Sequence, residues 1–556
     1  MDTKRLVLFV VFSFSLLMLW EAWQKEQRPP AQVAATQSVP SPSTGASSSA
    51  EPSVAGGAVQ APSAAIPATA VTNAPHEIVK IDTDVFSAEL DTLGGDIVRL
   101  ELLKHPDTVD HTRNLVLLGS EHEYSVQSGL MIGKNFPTHK TAYRAVAKQF
   151  TLKSGEDKLE VRLETEEIEG AAGTRMAKII TFHRSSYLID VAHEITNNTG
   201  SALAPDAYFQ IVRDAVAPPG DTSMVTTYTG TAIYTEQDKF LKIGFADIDK
   251  AKLPFSKNVD NGWVAMVQHY FVSALLPQEK IARNLYTRKL SDKLYSVGVI
   301  VPVGTIAPGA TASITVPLYS GPEEQDKLKT IAPGLELVVD YGWLTIISVP
   351  LFWVLQFFHG WFGNWGLAII FLTISIKLIF FPLSAASYRS MAKMKLVAPR
   401  LAKLREMYAD DRMKQNQAMM DLYKKEKINP LGGCLPIVIQ IPVFIALYWT
   451  LLASVELRYA PFYGWITDLS SKDPYYVLPA LMMVSMIIQT KLNPTPPDPI
   501  QAKVMMIMPL AFGVMFFFFP AGLVLYWLVN NILSILQQWQ ITRMIEGAGA
   551  KAVPKR

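Results

Sequence analysis

The segment GLAIIFLTISIKLIFFPL, Gly366 to Leu383, constrains this chain more than any other, because it holds 18 residues with Lys377 as their one charge. As a helix it would be about 27 Å long at ~1.5 Å per residue, close to the ~30 Å hydrocarbon core of a bilayer. Composition points the same way. With 49% hydrophobic and 18% charged residues in 556, and a positive mean hydropathy, the chain is too apolar for one soluble globule. The single cysteine, Cys434, excludes an internal disulfide framework and a multi-cysteine zinc site. The net charge of +2 says little about partners, because the charges are unevenly spread.

Upstream of this segment three textures follow one another. The N-terminus places Lys4 and Arg5 before the uncharged run Leu6 to Trp20, with no small-x-small cleavage site directly after it. Residues 1–23 therefore read as a signal anchor that starts in the cytoplasm. Residues 24–75 are rich in Pro, Ala and Ser and read as a disordered linker. From 76 to 333, short alternating runs such as KLEVRLET (Lys158 to Thr165) and SYLIDVAHEI (Ser186 to Ile195), set between turn signals, predict one large all-β domain on the outer side of the membrane. His105, His111 and His122 have acidic neighbours but no metal-ligand spacing, so they read as surface histidines. Neither a P-loop nor a Gly-x-Ser-x-Gly elbow occurs, which favours a binding or spacer role over catalysis.

Charge parity decides how the apolar second half threads the membrane. Arg389 to Lys427 carries 11 Lys/Arg against 5 Asp/Glu and belongs inside. If both Trp343 to His359 and Gly366 to Leu383 crossed, that segment would lie outside. The first stretch holds Pro350 and is flanked or punctuated by Trp343, Trp353, His359, Trp361 and Trp365, residues suited to the headgroup level. The prediction is an interfacial amphipathic helix over 334–363 and spans over 364–383, 431–453, 475–491, 504–519 and 520–540, the last pair separated by a turn at FPAG. A periplasmic loop covers 454–474 and a cytoplasmic loop 492–503. With the N-terminal anchor this makes six spans, both ends cytoplasmic, and a basic tail over 541–556. Between the first two core spans, 384–430 alternates basic and apolar positions at helical spacing and breaks at Asp410 and Asp411, which predicts a helical hairpin. Its methionines, Met391, Met394, Met407, Met413, Met419 and Met420, suit an adaptable surface, and its charge suits the RNA of a ribosome.

Lys377 is the one Lys, Arg, Asp or Glu placed within a predicted span away from its ends. A central lysine costs roughly 2.5 to 3.5 kcal/mol on insertion scales. It either snorkels toward the cytoplasmic headgroups or faces a wet cavity inside the bundle. Thr373, Ser375, Gln440, Asn530 and Asn531 add polar groups that either glue helices or line such a cavity. With no acid in these spans, the titrating relay of a proton-driven transporter is missing.

The motifs GNWG (Gly363 to Gly366), SMAKMK (Ser390 to Lys395), INPLGGCLP (Ile428 to Pro436), DPYYVLP (Asp473 to Pro479) and FPAGLVLYW (Phe519 to Trp527) resemble those of the YidC family of membrane protein insertases, in the Gram-negative form. The resemblance runs over essentially the whole chain. It implies a polytopic α-helical membrane protein with a five-helix core and an all-β periplasmic supersandwich similar to sugar-mutarotase folds. It also implies a hydrophilic groove open to cytoplasm and lipid. The groove's positive charge falls at Lys377, where many members carry arginine, with Thr373 as a second position. Gln440, Tyr526 and Trp527 complete the expected groove, and relatives often have tyrosine at the place of Trp527. Ile441, Pro442 and Met515 match apolar positions along which a nascent helix slides. The implied partners are nascent inner-membrane proteins, the Sec translocon with its accessory subunits, the ribosome and signal recognition particle pathway, and lipids; no cofactor is implied. A small-molecule transporter and an envelope sugar receptor are the rival classes.

Overall fold

Alternation along the N-terminal strands sets which side chains meet. In Lys158–Thr165, Val161 and Leu163 are fully buried while Lys158 and Glu160 face water, the period-two pattern of a strand with one wet face. Central strands such as Asp206–Asp214 and Leu294–Pro302 are buried on both faces, pairing antiparallel with Phe209 opposite Val299. Each large apolar side chain so buried contributes roughly 1.5–3 kcal/mol.

The computed structural model describes residues 76–131, 136–165, 173–218, 227–408, 411–426, 435–492 and 499–551. The readings for 1–75, the INPLGGC stretch with Cys434 and the end of the tail lie outside them. The chain forms two compact units that divide at Val338 and Val339. In the first, the described strands make a ten-stranded and a nine-stranded sheet. Side chains join the sheets into a sandwich: the Tyr124 hydroxyl donates to Met266 O at 3.4 Å, and the Lys178 ammonium crosses to Ser128 O at 2.7 Å. His111 is exposed as the sequence suggests, but His105 and His122 are less so. His105 bonds the Tyr187 hydroxyl at 3.0 Å and packs edge-on against Phe271, while His122 lies 3.3 Å from Asp214. Both rings are drawn against neighbours distant in sequence, which local spacing does not reveal.

The second unit is helical. Its helices are α1 (Thr345–Phe362), α2 (Trp365–Ile379), α3 (Phe381–Met407), α4 (Arg412–Lys425), α5 (Leu435–Ala453), α6 (Val477–Leu492), α7 (Pro499–Met515) and α8 (Ala521–Lys551). Gly363, at φ 61°, ends α1, and Asn364 caps α2 by accepting from Leu367 N at 3.0 Å. Gly366 is required at the start of α2, because a Cβ there would fall 2.1 Å from the Phe462 ring.

The run Gly366 to Leu383 is not one straight helix: α2 and the start of α3 meet at 67°. Pro382 has no N–H and its ring would crowd the Leu378 carbonyl, so α2 stops at Ile379 and Pro382 sits in the first turn of a new helix. Among the described residues, Gly342–Phe362 is long and apolar enough to cross a membrane, a tension with its reading as interfacial. The apolar helices Gln440–Ala453, Val477–Leu492 and Lys503–Phe518 are shorter. The apolar stretch beyond Val504 divides where the turn Phe516–Phe518 leads to Pro520, and Ala521 N and Gly522 N bond Ser471 O and Leu469 O at 2.7 and 2.9 Å.

In the hairpin, Val397 and Leu401 of α3 form a small core with Met394, Met419, Leu422 and Tyr423. Two of the six methionines assigned to its surface thus pack inward, whereas Met407, Met413 and Met420 are exposed.

Candidate functional site

The helical unit has a polar line along α8. Asn530, Ser534 and Gln538 recur at four-residue intervals, which places them on one face. Each meets a polar residue of another helix. The Lys377 ammonium of α2 donates to Ser534 Oγ at 2.7 Å, and Gln440 Nε2 of α5 donates to Asn530 Oδ1 at 2.8 Å. Gln489 Nε2 of α6 donates to Gln538 Oε1 at 2.6 Å, and beside this line Asn531 Nδ2 donates to Ser485 Oγ at 2.9 Å. Lys377 is 7% exposed, and among the described residues no ion pair reaches it.

Thr373 is buried one turn before Lys377 on the same face, but its hydroxyl donates to Ile369 O at 2.6 Å, so its polarity is spent on its own helix. Tyr526 is 1% exposed, and its hydroxyl, beside Gln440, makes no well-formed hydrogen bond. The indole N–H of Trp527 is likewise buried and, among the described residues, without a partner. Both rings lie against Phe444 of α5, with centroids 6.3 and 4.4 Å away, and Trp527 also meets Phe516 at 4.3 Å. Two buried donors without good acceptors are costly in an apolar setting and are available to a passing acceptor. Of the three apolar positions, Ile441 is exposed on α5 while Pro442 and Met515 are half-buried. Ser534 escapes a reading of the sequence by type alone, although the spacing Asn530, Ser534, Gln538 carries the signal.

The β unit encloses a second polar cluster. Lys178, fully buried, donates to Gly94 O and Ser128 O, lies 3.6 Å from Asp96 Oδ1, and stands 5.3 Å from the Tyr143 ring centre. His193 bonds Ser128 Oγ at 2.9 Å and stacks on Phe209, and His139 bonds the Tyr208 hydroxyl. Burial pushes the Asp96 carboxyl up to about 7 against the pull of Lys178, and pulls the Lys178 ammonium down to about 8. Burial, with Lys178 adding to it, pulls His139 down to about 4 and His193 well below the usual histidine value. No group of His, Cys, Asp or Glu among the described residues could hold a metal.

A β sandwich followed in sequence by apolar helices, with a polar line and a buried cation that meets no acid among the described residues, fits the class of membrane proteins with a large β-rich domain. The comparisons narrow it. Residues 78–354 match the family described as YidC periplasmic domain, and residues 357–548 that described as 60Kd inner membrane protein. The chain is 56% identical to the membrane protein insertase YidC of Nitrosospira multiformis over 99% of its own length and 98% of the relative's. To that of Aromatoleum aromaticum it is also 56% identical, over 100% of both chains. A crystal structure of an active YidC insertase with its first transmembrane domain resolved matches at 18% identity and a TM-score of 0.40, covering 85% of this chain and 94% of that one. The chain belongs to the YidC family of membrane protein insertases.

Proposed function

We propose that this protein inserts newly made proteins into the bacterial inner membrane, alone or beside the Sec translocon, and helps them fold there. The observation that carries this reading is Lys377, a buried cation held by one neutral hydroxyl with no carboxylate in range among the described residues. A buried charge left short of partners favours any acidic group that approaches it. The acidic, polar tail of an incoming protein thus finds a temporary partner at Lys377. Gln440 and the buried donors of Tyr526 and Trp527 offer further hydrogen bonds, and the client's apolar helix leaves past Ile441, Pro442 and Met515 into lipid. Thr373 takes part as packing. Burial of the client helix in lipid, with help from the membrane potential, drives the step.

The reading includes six spans with both termini in the cytoplasm. α1 lies along the outer interface, supported by the exposed stripe Trp343, Ile346, Trp353 and Trp361 and by the basic charge of the hairpin. The hairpin and tail meet the ribosome and the signal recognition particle pathway through that charge. The test is reconstitution of the purified chain into liposomes with a short membrane protein supplied without ribosomes. Protease protection of the client's translocated tail is the expected result; solute uptake without such protection would replace this reading with a transporter.

A further inference from the structure

Lys377 is oriented by chemistry that the groove reading leaves out. The Ser534 hydroxyl has one proton, and it donates that proton to Asn530 O, four residues back on α8, at 2.7 Å. The oxygen is therefore left as an acceptor, and Lys377 Nζ occupies it at 2.7 Å, with the Tyr388 hydroxyl of α3 also beside it. Asn530 in turn accepts from Gln440 through its side chain at 2.8 Å. One turn of α8 thus ties a cation on α2 to an amide on α5.

We propose that Ser534 is a positioning residue, holding the Lys377 ammonium inward on a neutral acceptor that an acidic client group then displaces. The proposal rests on the reading of Lys377 as the attractor of acidic tails. Neutrality at position 534 is what matters. An ammonium can donate three hydrogen bonds, and a hydroxyl engages one of them without cancelling the charge. A carboxylate in the same place would satisfy the cation permanently and remove the attraction for clients.

The experiment uses the full chain in liposomes and two forms of one client, with an acidic and a neutral translocated tail, and reads the ratio of their insertion. Ser534→Asp should lower the ratio of acidic to neutral insertion by about tenfold, the factor that a charge-assisted hydrogen bond is worth. Ser534→Asn matches the aspartate in size without its charge, and Ser534→Thr keeps the hydroxyl; both should retain the wild-type ratio. Equal ratios for the Asp and Asn variants, in a protein whose Lys377→Ala form does lose the acidic preference, would overturn the role of Ser534 alone. Loss of preference in all three Ser534 variants would also overturn it, by showing a packing role. If Lys377→Ala itself leaves the ratio unchanged, the underlying reading fails and this inference falls with it.

Discussion

Lys178 and Lys377 are both buried, one in each unit, and their surroundings differ in kind. Lys178 has two backbone carbonyls, a carboxylate at 3.6 Å and a tyrosine ring. Among the described residues, Lys377 has one serine oxygen. Burying an ammonium costs several kcal/mol unless opposite charge and hydrogen bonds compensate it. The β unit compensates from within and gains a clasp between its sheets. The helical unit gives its cation no such internal compensation among the described residues. Side-chain type is therefore a poor guide to role, and the number of acceptors within reach is a better one.

The largest expected effect tests the clasp. Lys178→Met should destabilise the β unit by about 3–5 kcal/mol, since it strands the Asp96 carboxylate in a dry interior. Asp96 already sits near 7, so it can escape by taking a proton. The loss should accordingly be smaller at pH 5 than at pH 8, as read from urea unfolding of the full chain followed by a probe in the β unit. A variant as stable as wild type at pH 8 would place Lys178 in the same loosely held condition as Lys377 and erase the contrast.

How much of this contrast the sequence discloses depends on the distance between partners. The β-rich domain followed by helices is legible from strand alternation and apolar runs, because both periods are local. Lys377 stands out because its neighbours are apolar. Lys178 does not, since one lysine in a strand is ordinarily solvated, and its partners Gly94, Asp96 and Ser128 come from in or beside the opposite sheet. Ser534 is hidden for the same reason, lying 157 residues from the lysine it holds. The bend at Phe380 has a local cause in Pro382, but the length of the apolar run around it suggests a straight span instead.

A smaller effect sharpens the comparison through pH. His139 and His193 lie beside Lys178 and are held neutral by burial. A histidine whose folded value is depressed gives stability that is present above about 6.5 and is lost as pH falls toward the folded value. For His139, between 6.5 and about 4, this amounts to roughly 3 kcal/mol. Asp96 works in the opposite direction, its raised value favouring the folded state as pH falls from about 7. The histidines are thus best tested by difference. His139→Gln should lose less stability than wild type between pH 6.5 and 4, whatever the cost of the substitution at neutral pH. Parallel pH profiles would mean that His139 takes its proton without penalty and that the cluster is wetter than its burial indicates.

The smallest effect in energy falls on Lys377. Since a single hydroxyl compensates it, Lys377→Leu should leave the helical unit as stable as before or make it more so, the reverse of Lys178→Met. Function should move the other way. Insertion of clients with acidic tails should fall by about tenfold, equivalent to ~1.4 kcal/mol, while neutral-tailed clients pass at the wild-type rate. Lys377→Arg should retain insertion because the charge is kept, and its wider donor fork is not needed by an attractor that grips no fixed carboxylate geometry. Neutralising the acidic residues of the client should shrink the gap between the wild-type protein and the Lys377→Leu variant, since both changes remove the same interaction. If Lys377→Leu instead unfolds the helical unit, as Lys178→Met unfolds the sandwich, then Lys377 is a structural cation. The line Lys377, Ser534, Asn530, Gln440 would then be a clasp like the one in the β unit.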